Sequence, residues 1–276
     1  MTITPLLMLR RRRVVRANLV LLVSALSLWS MPVLAQAPSE RLPDKDVKTL
    51  IDQVDEGRDK FEGNLDNQLK NSTLRGANGE TNVSGVLQDY QDQTKKLQDR
   101  FNDSYAASAE VATVLKQAGA IDRYMQGTPG VTKGRSEWDR EASSLKHLAG
   151  AYGATFPLQE GATVRRINDN ETAAAAGAVA SAADRFKDNL DKASTLSKDD
   201  REAAKKDVEL LIKQAEAVKD RTNDDKPATA EVRQLVEQVA KVQTFVGAHQ
   251  IPAAMTDWQS VKTSLGTVQQ AFGLPE

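Results

Sequence analysis

The chain contains no cysteine, two histidines and few aromatic residues, 5% of 276. Without cysteine there is no disulfide framework, thiol nucleophile, lipid-modified cysteine or covalently attached c-type haem. The histidines, His147 and His249, follow Ser144 and Val246 at a distance of three residues. The Glu-x-x-His element of carboxylate-bridged di-metal bundles is therefore missing. Missing too are His-Glu-x-x-His, the Asp-x-Asp-x-Asp-Gly calcium loop and a Walker loop, and no serine sits in a nucleophile elbow. No residue is marked as catalytic or metal-binding, and the expectation is a protein without cofactor. A non-covalent haem would need His147 with Met125 or His249 with Met255, and Met125 falls on an apolar stripe where packing is the simpler role.

Long apolar runs are scarce as well. The one stretch of note runs from about Ala17 to Leu28, after Arg10 to Arg13 and Arg16 and before Pro32, Ala35 and Ala37. A basic region, a short apolar region and an Ala-x-Ala site read as a secretory signal peptide over residues 1–37. The run is shorter than the ~20 apolar residues of a membrane-spanning helix, so no stable membrane anchor is expected after cleavage. The pair Arg12-Arg13 is a weak match to the twin-arginine signal, and the general secretory route is favoured. The expected location is the bacterial periplasm or the medium.

Removing residues 1–37 takes away five arginines and no acid, leaving 32 basic against 38 acidic residues, a net charge of −6. That balance gives no electrostatic case for binding nucleic acid. About 239 mature residues, stapled by nothing, must be held together by an apolar core.

What the chain has in abundance is helical periodicity. After a polar leader at 38–43, expected to be mobile, Asp44 reads as an N-cap. Val47, Leu50, Ile51, Val54, Phe61, Leu65 and Leu69 then place one stripe on one helix face. Residues 71–82, with Asn78-Gly79, predict a turn-rich interruption. Stripes through Val83–Phe101 and Val111–Met125 predict a second and third helix. Ser136 is the expected N-cap of a fourth, carrying Trp138, Leu145, Leu148 and Tyr152. No segment shows the alternation of a half-buried strand. The acids Asp52, Asp55, Glu56, Asp59 and Glu62, interspersed with Lys and Arg, read as a solvated helix face.

The pattern then restarts. Phe61, Asn64, Leu65 and Asp66 recur as Phe186, Asn189, Leu190 and Asp191, a shift of 125. Asp99-Arg100-x-Asn102-Asp103 recurs as Asp220-Arg221-x-Asn223-Asp224, a shift of 121 and a pattern suited to helix termination. Trp138, Leu145, Leu148, Tyr152 and Gly153 recur as Trp258, Leu265, Val268, Phe272 and Gly273, a shift of 120. Ser197 with Asp200, and Thr256 with Gln259, supply N-cap signals in the second copy. Ordered matches at nearly fixed period mark an internal repeat.

The fold expected is all-α: a tandem duplication of a four-helix up-down bundle unit, as two similar bundles, with units at 44–157 and 169–276 joined by a connector at 158–168. Phe61, Trp138, Leu145, Tyr152, Phe186, Trp258, Leu265 and Phe272 are its expected anchors. The Ala-rich first helix of the second copy, Ala173–Ala176 with Ala178, Ala180, Ala182 and Ala183, would permit close helix approach. The loop Gly130 to Arg135, with two cations, could hold an anion at a helix N-terminus, although a plain loop explains it. The expected function is that of an exported, non-catalytic interaction or scaffold protein with a protein partner. The alternatives are a chaperone-like binder using an apolar groove between the bundles, and a cofactor-binding bundle or an enzyme.

Overall fold

The computed structural model describes residues 41–275 apart from 77, 78, 129, 131 and 250. The signal segment and residues 38–40 lie outside the described residues. Within them the protein is all-helical but for one short hairpin. In chain order the elements are α1 (Asp44–Asn64), α2 (Asn67–Lys70), β1 (Thr73–Gly76), β2 (Gly79–Asn82), α3 (Val83–Arg100), α4 (Ser108–Gly127) and α5 (Arg135–Ala151). They continue with α6 (Asp169–Leu190), α7 (Lys198–Asn223), α8 (Thr229–Ala248) and α9 (Met255–Ala271). No helix among the described residues is long and apolar enough to cross a membrane.

The long helices fall into two sets of four. Helix α1 packs against α3 and α5, and α4 joins α3 to α5. Helix α6 likewise packs against α7 and α9, with α8 completing that set. Each set encloses its own apolar core, one centred on Trp138, Phe61 and Leu145 and one on Trp258, Phe186 and Val261. The buried positions of α1, namely 44, 47, 51, 54, 58 and 61, coincide at a shift of 125 with buried positions 169, 172, 176, 179, 183 and 186 of α6. Those of α3, at 83, 87, 90, 94 and 97, coincide at a shift of 121 with 204, 208, 211, 215 and 218 of α7. Most of the small side chains of α6 face inward: Ala173, Ala176, Ala180, Ala182 and Ala183 are buried, whereas Ala174 and Ala178 are exposed. The buried ones let α6 approach α7 and α9 closely.

Several local expectations need correction. Residues 73–76 and 79–82 form an antiparallel ladder, Thr73 opposite Asn82 and Gly76 opposite Gly79. Four residues per strand are too few for alternation to register as a pattern. The expected caps Ser136 and Thr256 lie inside the first turns of α5 and α9, which begin one residue earlier. At α5 the chain enters through Gly134 with φ +78°, where a Cβ would press on Leu65 at 3.3 Å. Glycine satisfies both constraints. Ser197 does cap α7, its hydroxyl accepting from the Asp200 amide at 3.1 Å.

Asp44 is the first residue of α1, with Pro43 before it, because its carboxylate is engaged elsewhere. The end of the leader is not loose either: Arg41 is fixed by hydrogen bonds to residues 126 to 131 positions away.

Candidate functional site

Two sequences of the form Arg-x-x-Asp, Arg41 to Asp44 and Arg166 to Asp169, enter α1 and α6 and meet where the two sets of helices join. They grip each other reciprocally. The Arg41 guanidinium donates to the Asp169 carboxylate and, at 2.8 Å, to the Ile167 carbonyl. Arg166 donates to Asp44 Oδ1 at 2.6 and 3.0 Å and, at 2.6 Å, to the Leu42 carbonyl. The free oxygen of each aspartate takes the other's helix amide: the Asp44 amide donates to Asp169 Oδ2 and the Asp169 amide to Asp44 Oδ2, both at 2.7 Å. A carboxylate at a helix N-terminus satisfies orphan amides and complements the helix dipole; here each helix is served by the other's acid.

Both aspartates and Arg166 are buried. Burial, reinforced by neighbouring Arg166 and opposed by Asp169, lowers the Arg41 pKa from the ordinary arginine range. Ser108 accepts from the Arg166 amide at 3.1 Å, and Asn168 caps α6 by accepting from the Glu171 amide at 2.7 Å.

Beside this clasp opens a cleft of about 840 Å³. Leu42 and Leu50, Ala151 and Tyr152, Ile167, and Ala271 with Phe272 supply its walls. Arg41 also lies over the Phe272 ring, 5.3 Å from its centroid. Lys146, His147 and Arg165 are exposed on the lining. No carboxylate is among the lining residues. The Arg165 amide donates to the Tyr152 carbonyl at 3.1 Å, fixing the connector against the end of α5.

The chain matches no protein-family model, no curated protein and no solved structure.

The anchor residues divide between core and cleft. Phe61 and Trp138 pack with tilted rings at 5.0 Å, Phe186 and Trp258 likewise at 5.3 Å, and Leu145 and Leu265 are buried beside them. The Trp138 indole donates to Asp122 at 2.9 Å and that of Trp258 to Gln243 at 2.7 Å. Tyr152 and Phe272 are buried too, but one edge of each reaches the cleft. Trp138→Phe should keep the ring contact with Phe61 and leave buried Asp122 short of a donor, costing about 1–3 kcal/mol in urea melts. A loss near zero would mean that water replaces the indole N–H.

The histidine–methionine pairs are not gathered into a site. Met125 is buried in the first core whereas His147 is exposed at the cleft. Met255 is exposed, and His249 stacks on Phe245 at 4.3 Å. No group of three or more potential metal-ligating side chains occurs among the described residues. In the Gly130 loop, Lys133 pairs with Asp66 at 3.3 Å and Arg135 donates to the Met125 carbonyl; Val131 lies outside the described residues. The repeated Asp-Arg-x-Asn-Asp pattern has a visible role: Arg100 pairs with Glu110 and Arg221 with Glu231, tying consecutive helices.

One polar cluster is confined to the first core. Glu141 is fully buried on α5 and accepts from the Tyr90 hydroxyl, while its Oε2 has no partner. Burial pushes the Glu141 pKa up to about 8, with the Tyr90 bond and Arg58 pulling the other way. Burial likewise keeps Tyr90 protonated, far above the usual phenol range. Arg58 is not on the solvated face of α1 but 1% exposed, reaching Asp55 at 2.7 Å and Asp59 at 2.9 Å. Gly57 makes room, since a Cβ there would stand 2.1 Å from Glu141 Oε2.

Proposed function

We propose that the protein is an exported, non-catalytic binding module, a tandem duplication of a four-helix up-down unit that holds its partner where the units meet. The duplication is supported by the coincidence of buried positions, by the matched Phe–Trp ring contacts and by two Arg-x-x-Asp sequences whose contacts interchange. Export to the periplasm or medium is supported by the basic-apolar-Ala-x-Ala order of residues 1–37.

The observation that carries binding is the cleft. It joins apolar walls to exposed cations and has no convergent acid–base pair of the kind that hydrolysis would need. The clasp gives this cleft a rigid floor, because its charged hydrogen bonds fix both helix starts.

Gly150 lies in the last turn of α5 on the cleft lining, and a Cβ there meets nothing within 4 Å. Gly150→Trp should therefore fill the cleft without entering the core. Protein captured from periplasmic extract by the wild-type chain should be lost with this variant, while the melting temperature stays within a few degrees. Equal capture by both would remove the cleft from the binding role. The chaperone-like reading uses the same apolar walls and requires suppression of client aggregation that Gly150→Trp abolishes.

A further inference from the structure

The cleft has features that narrow what it can hold, given the binding role above. Its volume, about 840 Å³, lies within the ~300–1,000 Å³ typical of small-molecule sites. The walls are apolar, from Leu42, Leu50, Ala151, Ile167, Ala271 and Phe272. The charged side chains on its lining are of one sign. Arg41 and Arg166 are already engaged by Asp169 and Asp44, but Lys146 and Arg165 are exposed and form no ion pair among the described residues. They stand on two different segments, the last turns of α5 and the connector, so their charges reach the same opening from two sides. Two uncommitted cations over an apolar trough, in a chain whose expected mature charge is −6, are complementary to a negative head on a greasy body.

We propose that the cleft binds a small single-chain amphiphile with an anionic head, the chain lying along Leu50, Ile167 and Phe272 and the head meeting Lys146 and Arg165. The apolar contact supplies affinity, and the two cations set the sign and the orientation. A cationic amphiphile of equal length is excluded by the same charges, and a neutral one loses the head contact.

The test is calorimetric titration of the full mature chain with dodecanoate below its micelle concentration, in parallel with dodecyl phosphate, dodecanol and dodecyltrimethylammonium. Saturable one-to-one binding of dodecanoate or dodecyl phosphate is expected, at least tenfold tighter than dodecanol, with no binding of the ammonium compound. Lys146→Glu combined with Arg165→Glu should weaken the anionic probes tenfold or more and leave dodecanol unchanged. Gly150→Trp should abolish all uptake. Binding that ignores head charge, or that survives Gly150→Trp, overturns the proposal. If wild type takes up no amphiphile while Gly150→Trp still abolishes protein capture, the occupant is a protein segment: this inference falls and the binding reading stands.

Discussion

Arg166→Ala should lower the unfolding free energy by about 3–5 kcal/mol, the usual result of removing one member of a buried ion pair. The guanidinium is the donor to Asp44 Oδ1 through two nitrogens and to the Leu42 carbonyl. Its loss leaves a buried carboxylate holding one helix amide and a carbonyl stripped of its donor. Water cannot compensate fully at a carboxylate only 7% exposed. Arg166→Lys keeps the charge but not the fork that spans Asp44 and Leu42, so it should recover only part of the loss. Urea melts followed by helical circular dichroism measure both. A change below 1 kcal/mol for Arg166→Ala would mean that the clasp is a by-product of packing. Because Arg41 makes the mirror-image contacts, Arg41→Ala and Arg166→Ala share one network and should not combine additively.

This clasp was the part of the molecule hardest to read from sequence, and the reason is physical. Helical periodicity exposes contacts three or four residues apart, and it sufficed for the eight long helices and for the anchors Phe61, Trp138, Phe186 and Trp258. Arg41 and Arg166 lie outside every apolar stripe, in segments read as leader and connector, and their partners are 122 to 128 residues distant. One signal was available: Arg41 to Asp44 matches Arg166 to Asp169 at the shift of 125 that relates Phe61 to Phe186. That pair lies upstream of Phe61 and Phe186, where the ordered matches along the chain begin. The cleft was legible only at its edge. Tyr152-Gly153 and Phe272-Gly273 end the repeated tryptophan pattern, and both pairs line the opening. That the two ends face one another is a product of long-range packing.

The buried cluster of the first core left a subtler trace. Glu141 and Arg58 sit on apolar stripes at positions where the other set of helices has Val261 and Ala183; Tyr90 and Gly57 correspond to Leu211 and Ala182. All four counterparts are buried and apolar. The second core thus supplies an apolar solution at the same places, which makes the polar one in the first testable by exchange.

Glu141 should make the protein less stable as pH rises from about 4.5 to about 8. Its folded pKa lies above the unfolded value, so over that range the native state holds a proton that the unfolded chain has lost. Unfolding is then favoured by increasing pH, with a slope of about 1.4 kcal/mol per pH unit and a total of roughly 4–5 kcal/mol as an upper figure. Stability from this group is complete below the unfolded value and lost as pH passes through the folded one. Glu141→Gln keeps an acceptor for the Tyr90 hydroxyl and removes the titration. Urea melts from pH 4 to 9 should show the wild type and this variant converging at the acid end and separating steadily toward pH 8, with the variant more stable. Parallel curves would place the carboxyl in contact with solvent.

Gly57→Ala probes the same space sterically. Its Cβ must displace Glu141 Oε2, at a cost of about 1–3 kcal/mol for overpacking. The triple variant Gly57→Ala, Tyr90→Leu, Glu141→Val installs the residues that Ala182, Leu211 and Val261 supply in the other core, and should recover that loss. It should also erase the pH dependence that Glu141 carries, because the titrating carboxyl is gone. Failure to recover, with Glu141→Gln behaving as expected, would show that the two cores differ in backbone spacing as well as in side chains.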